Sequence, residues 1–438
     1  MPLIIVLLGI VLLLVLIIVF KLNAFISFII VSLLVGVFEG LPVISTVEAI
    51  KTGIGSIMSS LIIILGFGAM LGKLVADSGA AYKITTGLVA AFGLKRIQLA
   101  LMVTGFIVGI PMFYSVGFVI LVPLVFTMAA STGLPLLYVG IPMLASLSVT
   151  HGYLPPHPAP TAIVGMFQAD IGTTLIYGII IAIPAILVAG PLLSGYFSRF
   201  DAKPLKAFTG TENAAGTSVP SLGSSLAVAL SPVILIGFAA LARLWVAEGS
   251  FAWKLADILG NPSIAMLIAV LAAIYFLGIR NGQKMTELME SISSGVSGIT
   301  MVLLIIAGAG AFKQVLIESG VSDYIAGLMQ ASGFSPLFLA WFIAAVVRVC
   351  VGSATVAGLT SAGIVVPLVG DPDVSPELMV LAIGSGSLML SHVNDGGFWL
   401  FKEYFNLSIK ETLSTWTVME TTVSAMGLVG VMVLDWVV

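Results

Sequence analysis

Residues 97–169 read IQLALMVTGFIVGIPMFYSVGFVILVPLVFTMAASTGLPLLYVGIPMLASLSVTHGYLPPHPAPTAIVGMFQA, without a single Asp, Glu, Lys or Arg. As one helix this stretch would run roughly 110 Å, more than three times the ~30 Å hydrocarbon core of a bilayer. Prolines from Pro111 to Pro160 interrupt it repeatedly, and four of them crowd into 155–160. Residues 336–401 are broken in the same way, by Gly352, Gly358, Gly363, Pro367, Gly384 and the pair Gly396-Gly397. In lipid every backbone polar group needs an internal partner, so a broken helix at membrane depth must face protein or a wet cavity. These two regions are therefore the functional candidates.

The rest of the chain agrees. Of 438 residues, 59% are apolar and only 8% charged, with a mean hydropathy of +1.21. A soluble domain carries roughly 25% charged residues. Seventeen Lys/Arg and twenty Asp/Glu cannot cover a particle of this size in water, which excludes a soluble enzyme. A nucleic-acid binder would need a basic face, and a disordered chain would need few apolar residues. The fold class that remains is an all-α polytopic membrane protein. The lone Cys350 rules out a disulfide framework. Met1 to Phe20 lacks a basic leader and a cleavage site and is too long for a signal core, so it reads as a first span stopped by Lys21.

A span needs about 20 apolar residues. Stretches of that size lie near 3–20, 23–41, 57–76, 171–195, 224–247, 262–279, 298–317 and 412–434. Within the broken regions the reading is a re-entrant hairpin near 98–130 followed by a span broken at 151–160, and a second hairpin near 336–369 followed by a break at 391–397. The domains expected are N-terminal scaffold helices over 1–56, a first repeat over 57–196, a cytoplasmic linker over 197–223, further scaffold helices over 224–290, and a second repeat over 291–438.

The repeat rests on ordered matches. Asp77-Ser78-Gly79 returns as Glu318-Ser319-Gly320, Val122-Pro123-Leu124-Val125 as Val366-Pro367-Leu368-Val369, Pro135 as Pro376, and His151 as His392. All but the second pair are separated by 241 positions and that one by 244. Chance matches between apolar segments do not keep one order and one offset. Five crossings separate the two units, or seven if the hairpin counts as two spans, and either odd number inverts the second. Positive charge fits that topology: Lys21, Lys83, Lys95, Arg96, Arg199, Lys203, Lys206, Arg280, Lys284, Lys402 and Lys410 fall on one side, which is then cytoplasmic, and only Lys51, Arg243 and Lys254 fall near the other. Both termini lie outside. Inverted repeats with paired broken helices mark secondary transporters that bind near the midplane.

At the first break, Thr150-His151-Gly152-Tyr153-Leu154-Pro155-Pro156-His157-Pro158, consecutive prolines cannot continue a helix. The helix that restarts there offers its N-terminus to an anion. His151 and His157, with Thr161 beyond, are candidates to bind a carboxylate or relay a proton; a buried histidine bonded to backbone is the plainer alternative. At the second break, Ser391-His392-Val393-Asn394-Asp395-Gly396-Gly397, an acid, an amide, a hydroxyl and an imidazole stand together. Asp395 is costly in lipid unless protonated or paired, so it is a proton-coupling candidate beside His151 and His392; a structural ion pair or helix cap is its plain reading. The hairpin tips, Gly109 to Gly117 with Tyr114 and Ser115, and Gly352 to Ser361 with Ser353, Thr355 and Thr360, present short hydroxyls. Arg348, just before the second tip, can clamp a carboxylate with two parallel hydrogen bonds, or else snorkel to a headgroup. Three histidines and Asp395 also invite a metalloenzyme reading, but the H-x5-H spacing across prolines is no helical metal pair.

These stretches closely resemble the gluconate:proton symporter (gluconate permease) family, within the ion-transporter superfamily. GFGAMLGKLVADSG at 66–79, LLYVGIPM at 136–143, HGYLPPHPAPTA at 151–162, GAFKQVLIESGV at 310–321, GSATVAGLTSAG at 352–363 and the HVND run at 392–395 carry the likeness, which spans the chain. The resemblance implies a secondary carrier of the bacterial cytoplasmic membrane for gluconate or a related sugar-acid anion, driven by protons. It also implies an elevator-type scaffold plus transport domain, and a homodimer. Relatives take idonate or D-serine, and unwound carbonyls can hold Na⁺ in place of a proton. No cofactor, metal or nucleic acid is expected. The chain departs from the family at Ser115, where some gluconate carriers have an acid, at Gly396, where Pro is common, and at Ala159, where Gly is common.

Overall fold

The structure is a computed structural model that describes residues 2–203, 219–242, 245–247, 249–321, 334–366, 369, 374–393 and 395–438. Among the described residues the secondary structure is helical, with no strand. The order is α1 (Pro2–Ile18), α2 (Ala24–Phe38), α3 (Val43–Asp77), α4 (Ala80–Phe92), α5 (Ile97–Gly109), α6 (Tyr114–Thr132), α7 (Leu136–Tyr153) and α8 (Pro158–Phe167). There follow α9 (Ile171–Phe197), α10 (Leu222–Ala242) and α11 (Phe251–Gly260), α12 (Pro262–Asn281) and α13 (Met285–Glu318). The last five are α14 (Pro336–Val351), α15 (Ala354–Val365), α16 (Pro376–Gly386), α17 (Gly396–Tyr404) and α18 (Ile409–Asp435).

Five of these helices are long and apolar enough to cross a membrane, or up to seven if each bent pair counts once. The spans expected near 171–195, 224–247, 262–279, 298–317 and 412–434 coincide with α9, α10, α12, α13 and α18. The spans expected at 3–20 and 23–41 are shorter than predicted. Asn23 accepts a hydrogen bond from Phe25 N and starts α2, Glu39 caps its end, and the helix between has 15 residues. At 1.5 Å each that is roughly 22 Å, short of the hydrocarbon core. Apolar composition alone did not reveal where the caps fall.

α3 and α13 form the longest helical pair. They lie antiparallel, since a Cβ on Gly53 would meet the Gly310 carbonyl, while one on Gly295 would meet Ala69 and Lys73 at the other end. Small residues let the backbones approach closely, which is how helices adhere in lipid. Both helices end alike. Ser78 and Ser319 are C-caps in the αR region, and Gly79 and Gly320 follow at φ 75° and 72°. Lys73 pairs with Asp77 at 2.7 Å, where Gln314 donates to Glu318 at 3.0 Å.

α7 is the innermost helix, with nearly every side chain buried, as expected of a helix that is apolar all round. It packs on α5, α6 and α9, while α16 packs on α14 and α18. α8 and α15 cross each other and lean on the α3–α13 pair. Lys313 on α13 donates to the Met166 carbonyl near the C-terminus of α8, at 2.5 Å.

The two breaks differ from their expected bounds. His151 still belongs to α7, and the first break is confined to 154–157, because Pro158 and Pro160 fall in the opening turn of α8. Prolines there cost nothing, since the first N–H groups of a helix have no partner to lose. The second break begins earlier than expected, after Ser387, and closes when Asp395 caps α17. Both hairpins are pairs of short helices joined by tight turns: α5 and α6 through 110–113, α14 and α15 through Gly352-Ser353. Most of the linker at 197–223, Pro367 and Leu368 of the second Val-Pro-Leu-Val element, and Asn394 lie outside the described residues.

Candidate functional site

The tips of both hairpins, the end of α7, the N-terminus of α17 and the middle of α18, with Val302 of α13, line a half-open cavity of about 420 Å³. That lies within the ~300–1,000 Å³ range of small-molecule sites. Its wall carries Tyr114, His151, Arg348, Ser353, Thr355 and Asp395, all singled out by sequence, together with Ser148, Trp416 and Glu420.

Arg348 occupies the last turn of α14, ahead of Gly352, whose φ of 80° turns the chain at the tip. Its Nη2 donates to Asp395 Oδ2 at 2.6 Å, with the side chains 3% and 17% exposed. Nε and Nη1 of the same guanidinium are buried without a hydrogen-bond partner among the described residues. Two further groups hold Asp395. The Ser391 hydroxyl donates to Oδ2, and Gly397 N donates to Oδ1 at 3.1 Å. The carboxylate thus caps α17, where the helix dipole favours negative charge. Trp416 fixes the arrangement from behind, its Nε1 donating to Ser391 Oγ at 2.7 Å. Trp416 stands in a π-helical turn, Leu413–Thr417, that interrupts α18; such turns are frequent at functional sites.

Tyr114 and His151 form the opposite wall. Their ring centroids are 6.0 Å apart, and Tyr114 is 5.9 Å from Trp416. The Tyr114 hydroxyl and His151 Nδ1 are buried without a partner among the described residues. Ser353 caps α15 by accepting from Val356 N at 3.4 Å, which leaves its hydroxyl hydrogen available.

Four sequence candidates are not on this wall. His157 Nε2 bonds the Gly109 carbonyl at 2.7 Å, tying the first break to the first hairpin, and His157 lines a separate small cleft beside Pro111. Thr161 and Thr360 are buried on α8 and α15. His392 is half-buried, with its carbonyl accepting from Asp395 N at 2.9 Å. Ser115 is the second residue of α6, and Asn394 is outside the described residues.

Glu420 escapes a sequence reading that takes 412–434 as a plain span. Its signal was an acid in the middle of an otherwise apolar helix, a functional suspect by position alone. Ser148, one turn before His151 on α7, donates to Glu420 Oε2 at 2.8 Å. Glu420 Oε1 is buried without a partner among the described residues.

A helical bundle with membrane-length spans, around a cavity whose wall carries charged and hydroxyl side chains, has the layout of a multi-pass membrane protein with a small-molecule site. Comparison with known proteins names the kind: residues 1–437 match the family described as GntP family permease. The chain belongs to that family. It is 51% identical to the Gnt-II system L-idonate transporter of Escherichia coli (strain K12) over 99% of both chains. It is 50% identical to a high-affinity gluconate transporter of the same organism over 100% of both, and 47% identical to the gluconate permease of Bacillus subtilis (strain 168), again over 100% of both. The fold is also similar to solved transporters. The Alcanivorax borkumensis YdaH transporter matches with TM-score 0.68 at 15% identity, covering 94% of this chain and 97% of that one. Neisseria gonorrhoeae MtrF matches with TM-score 0.59 at 16% identity, covering 94% and 93%.

Proposed function

We propose that this protein carries gluconate, or a closely related sugar-acid anion, across the bacterial cytoplasmic membrane together with protons. The observation that carries the reading is the Arg348 guanidinium: buried at the cavity wall, anchored by Asp395, and with two donors left without a protein partner. A guanidinium in that condition suits a second carboxylate, which accepts two parallel hydrogen bonds. Ser353 and Thr355 at the same tip and Tyr114 across the cavity supply hydroxyls for a polyol chain, with His151 beside them. The names of the relatives support the same substrate class.

The two hairpins, the two breaks and the matching ends of α3 and α13 support an internal inverted repeat. In this reading the scaffold of a homodimer is wider than the 1–56 and 224–290 expected from the sequence and takes in α3 and α13, which run across the boundaries at 56 and 290. The hairpins and broken helices form a transport domain that slides as an elevator, with both termini outside. Asp395 and the histidines remain candidates for the coupling proton, and His157, Thr161, Thr360, His392 and Asn394 belong to the moving domain around the substrate.

The test is uptake of labelled gluconate by proteoliposomes under an imposed proton gradient. Accumulation that stops when the gradient is collapsed is the expected result; accumulation indifferent to the gradient but dependent on Na⁺ would replace the proton. L-idonate is the second substrate reading, favoured by the 51% identity to a transporter of that acid. A competition panel of gluconate, idonate and D-serine ranks them.

A further inference from the structure

We propose that Glu420 is the proton-binding carboxyl of the cavity, loading one proton with each substrate anion. The inference rests on the symport reading above and moves the coupling site from the breaks to α18.

Two carboxyl groups face the cavity, and their hydrogen-bond sets are opposite. Asp395 accepts from Arg348 Nη2, Ser391 Oγ and Gly397 N, so both oxygens are satisfied and a cation is in contact. That set fits a carboxylate. Glu420 is 2% exposed. One oxygen accepts from Ser148 at 2.8 Å, and the other is buried with neither a donor nor an acceptor among the described residues. An ionised carboxylate in that setting is a buried charge that has lost its water and gained one hydrogen bond in return, whereas the carboxylic acid carries no charge and leaves only a neutral O–H to place, a much smaller cost.

The ionisable groups around Glu420 come from several elements. Arg348 on α14 and Asp395 ahead of α17 act on it electrostatically, as do Tyr114 on α6 and Tyr153 on α7. Arg348 is already committed to Asp395. The Tyr153 hydroxyl donates to the Val423 carbonyl at 2.5 Å and is therefore spoken for. The Tyr114 hydroxyl is buried with no partner among the described residues, and so is Nδ1 of His151, which lies one turn beyond Ser148 on the same face of α7.

Charge arithmetic couples this proton to the substrate. Arg348 and Asp395 cancel, so an anionic substrate leaves the cavity at −1 when Glu420 is protonated and at −2 when it is not. Like charges held close together at a buried wall repel. Substrate therefore favours the proton, and by reciprocity the proton favours substrate. In the transport cycle the proton enters from external water onto Glu420 with the substrate, and leaves to water on the other side after the substrate departs.

The experiment measures gluconate binding by titration calorimetry in nanodiscs across a pH series, with proton uptake followed in weak buffer. The wild type should weaken by up to about tenfold per pH unit above the midpoint and take up about one proton per gluconate, the limit for a single linked site. Glu420→Gln imitates the protonated acid and keeps the bond to Ser148. It should bind gluconate with a flat pH profile and no proton uptake, and exchange gluconate across vesicles without accumulating it. A Glu420→Gln protein that keeps the wild-type slope and proton uptake overturns the assignment, and a His151→Gln protein that alone loses them transfers it to His151. If Glu420→Gln does not fold, Ser148→Ala decides. A moved midpoint supports the assignment, and an unmoved one overturns it. A wild type that binds gluconate with no slope and no proton uptake defeats the symport reading itself, a result separable from all of these.

Discussion

Arg348 sits in the last turn of α14 with one donor on Asp395 and two without a protein partner. A residue so placed is worth most where its partner is also desolvated. Arg348→Ala should raise the apparent gluconate constant by at least about 30-fold, roughly 2 kcal/mol, as read by uptake kinetics in proteoliposomes. Arg348→Lys should recover only part, because an ammonium cannot form two parallel bonds to one carboxylate. Wild-type constants in Arg348→Ala would remove it from the substrate site. Arg348 and Asp395 are both visible in sequence as charges inside apolar stretches, yet sequence cannot show that they meet, since 47 positions separate them. Glu420 was equally visible, as an acid amid α18, but an average over 412–434 hides it. Its meaning comes from Ser148, 272 positions away, and no local pattern encodes that pairing.

At the scale of the element, the second hairpin tip was legible, while helix ends and lengths were not. Pro158 opens α8 and Pro376 opens α16, where proline is tolerated, and Gly352 turns the second tip at a positive φ. The π-helical turn that presents Trp416 leaves no mark in the sequence, because it depends on what α18 packs against. The α3–α13 contact is also tertiary. A Cβ on Gly310 would run into Ile57 and the Gly53 carbonyl, so the helices would have to separate. Gly310→Val should destabilise the protein by about 1–3 kcal/mol, the usual cost of overpacking, seen as a lower melting temperature in detergent, while Gly298→Ala, on the same helix with open space around it, should leave the melting temperature near that of the wild type. Equal melting temperatures for Gly310→Val and wild type would show that this packing is not needed.

At the scale of the whole molecule the question is movement. α8 touches α3 and α13, and Lys313 holds the end of α8 through the Met166 carbonyl. If hairpins and breaks slide against α3 and α13, this contact must break in each cycle. Cysteines placed at 166 and 313, in a Cys350→Ser background, should arrest uptake when bridged by a short bifunctional reagent and restore it when a cleavable bridge is cut. Uptake that continues with the bridge in place would refute the sliding motion. The sequence by itself determined the solvent of this protein, its helical class and the two regions within which its helices break, though not the residues that bound each break. Those follow from one rule, that lipid offers no partner for a backbone amide, and the rule acts on each segment alone. Only the tertiary structure decided which polar groups share a cavity and which pair elsewhere: Asp395 with a cation and two further donors, Glu420 with one hydroxyl, His157 with a backbone carbonyl. These outcomes depend on distances between residues far apart in the chain, which the packing of α7, α14, α17 and α18 sets.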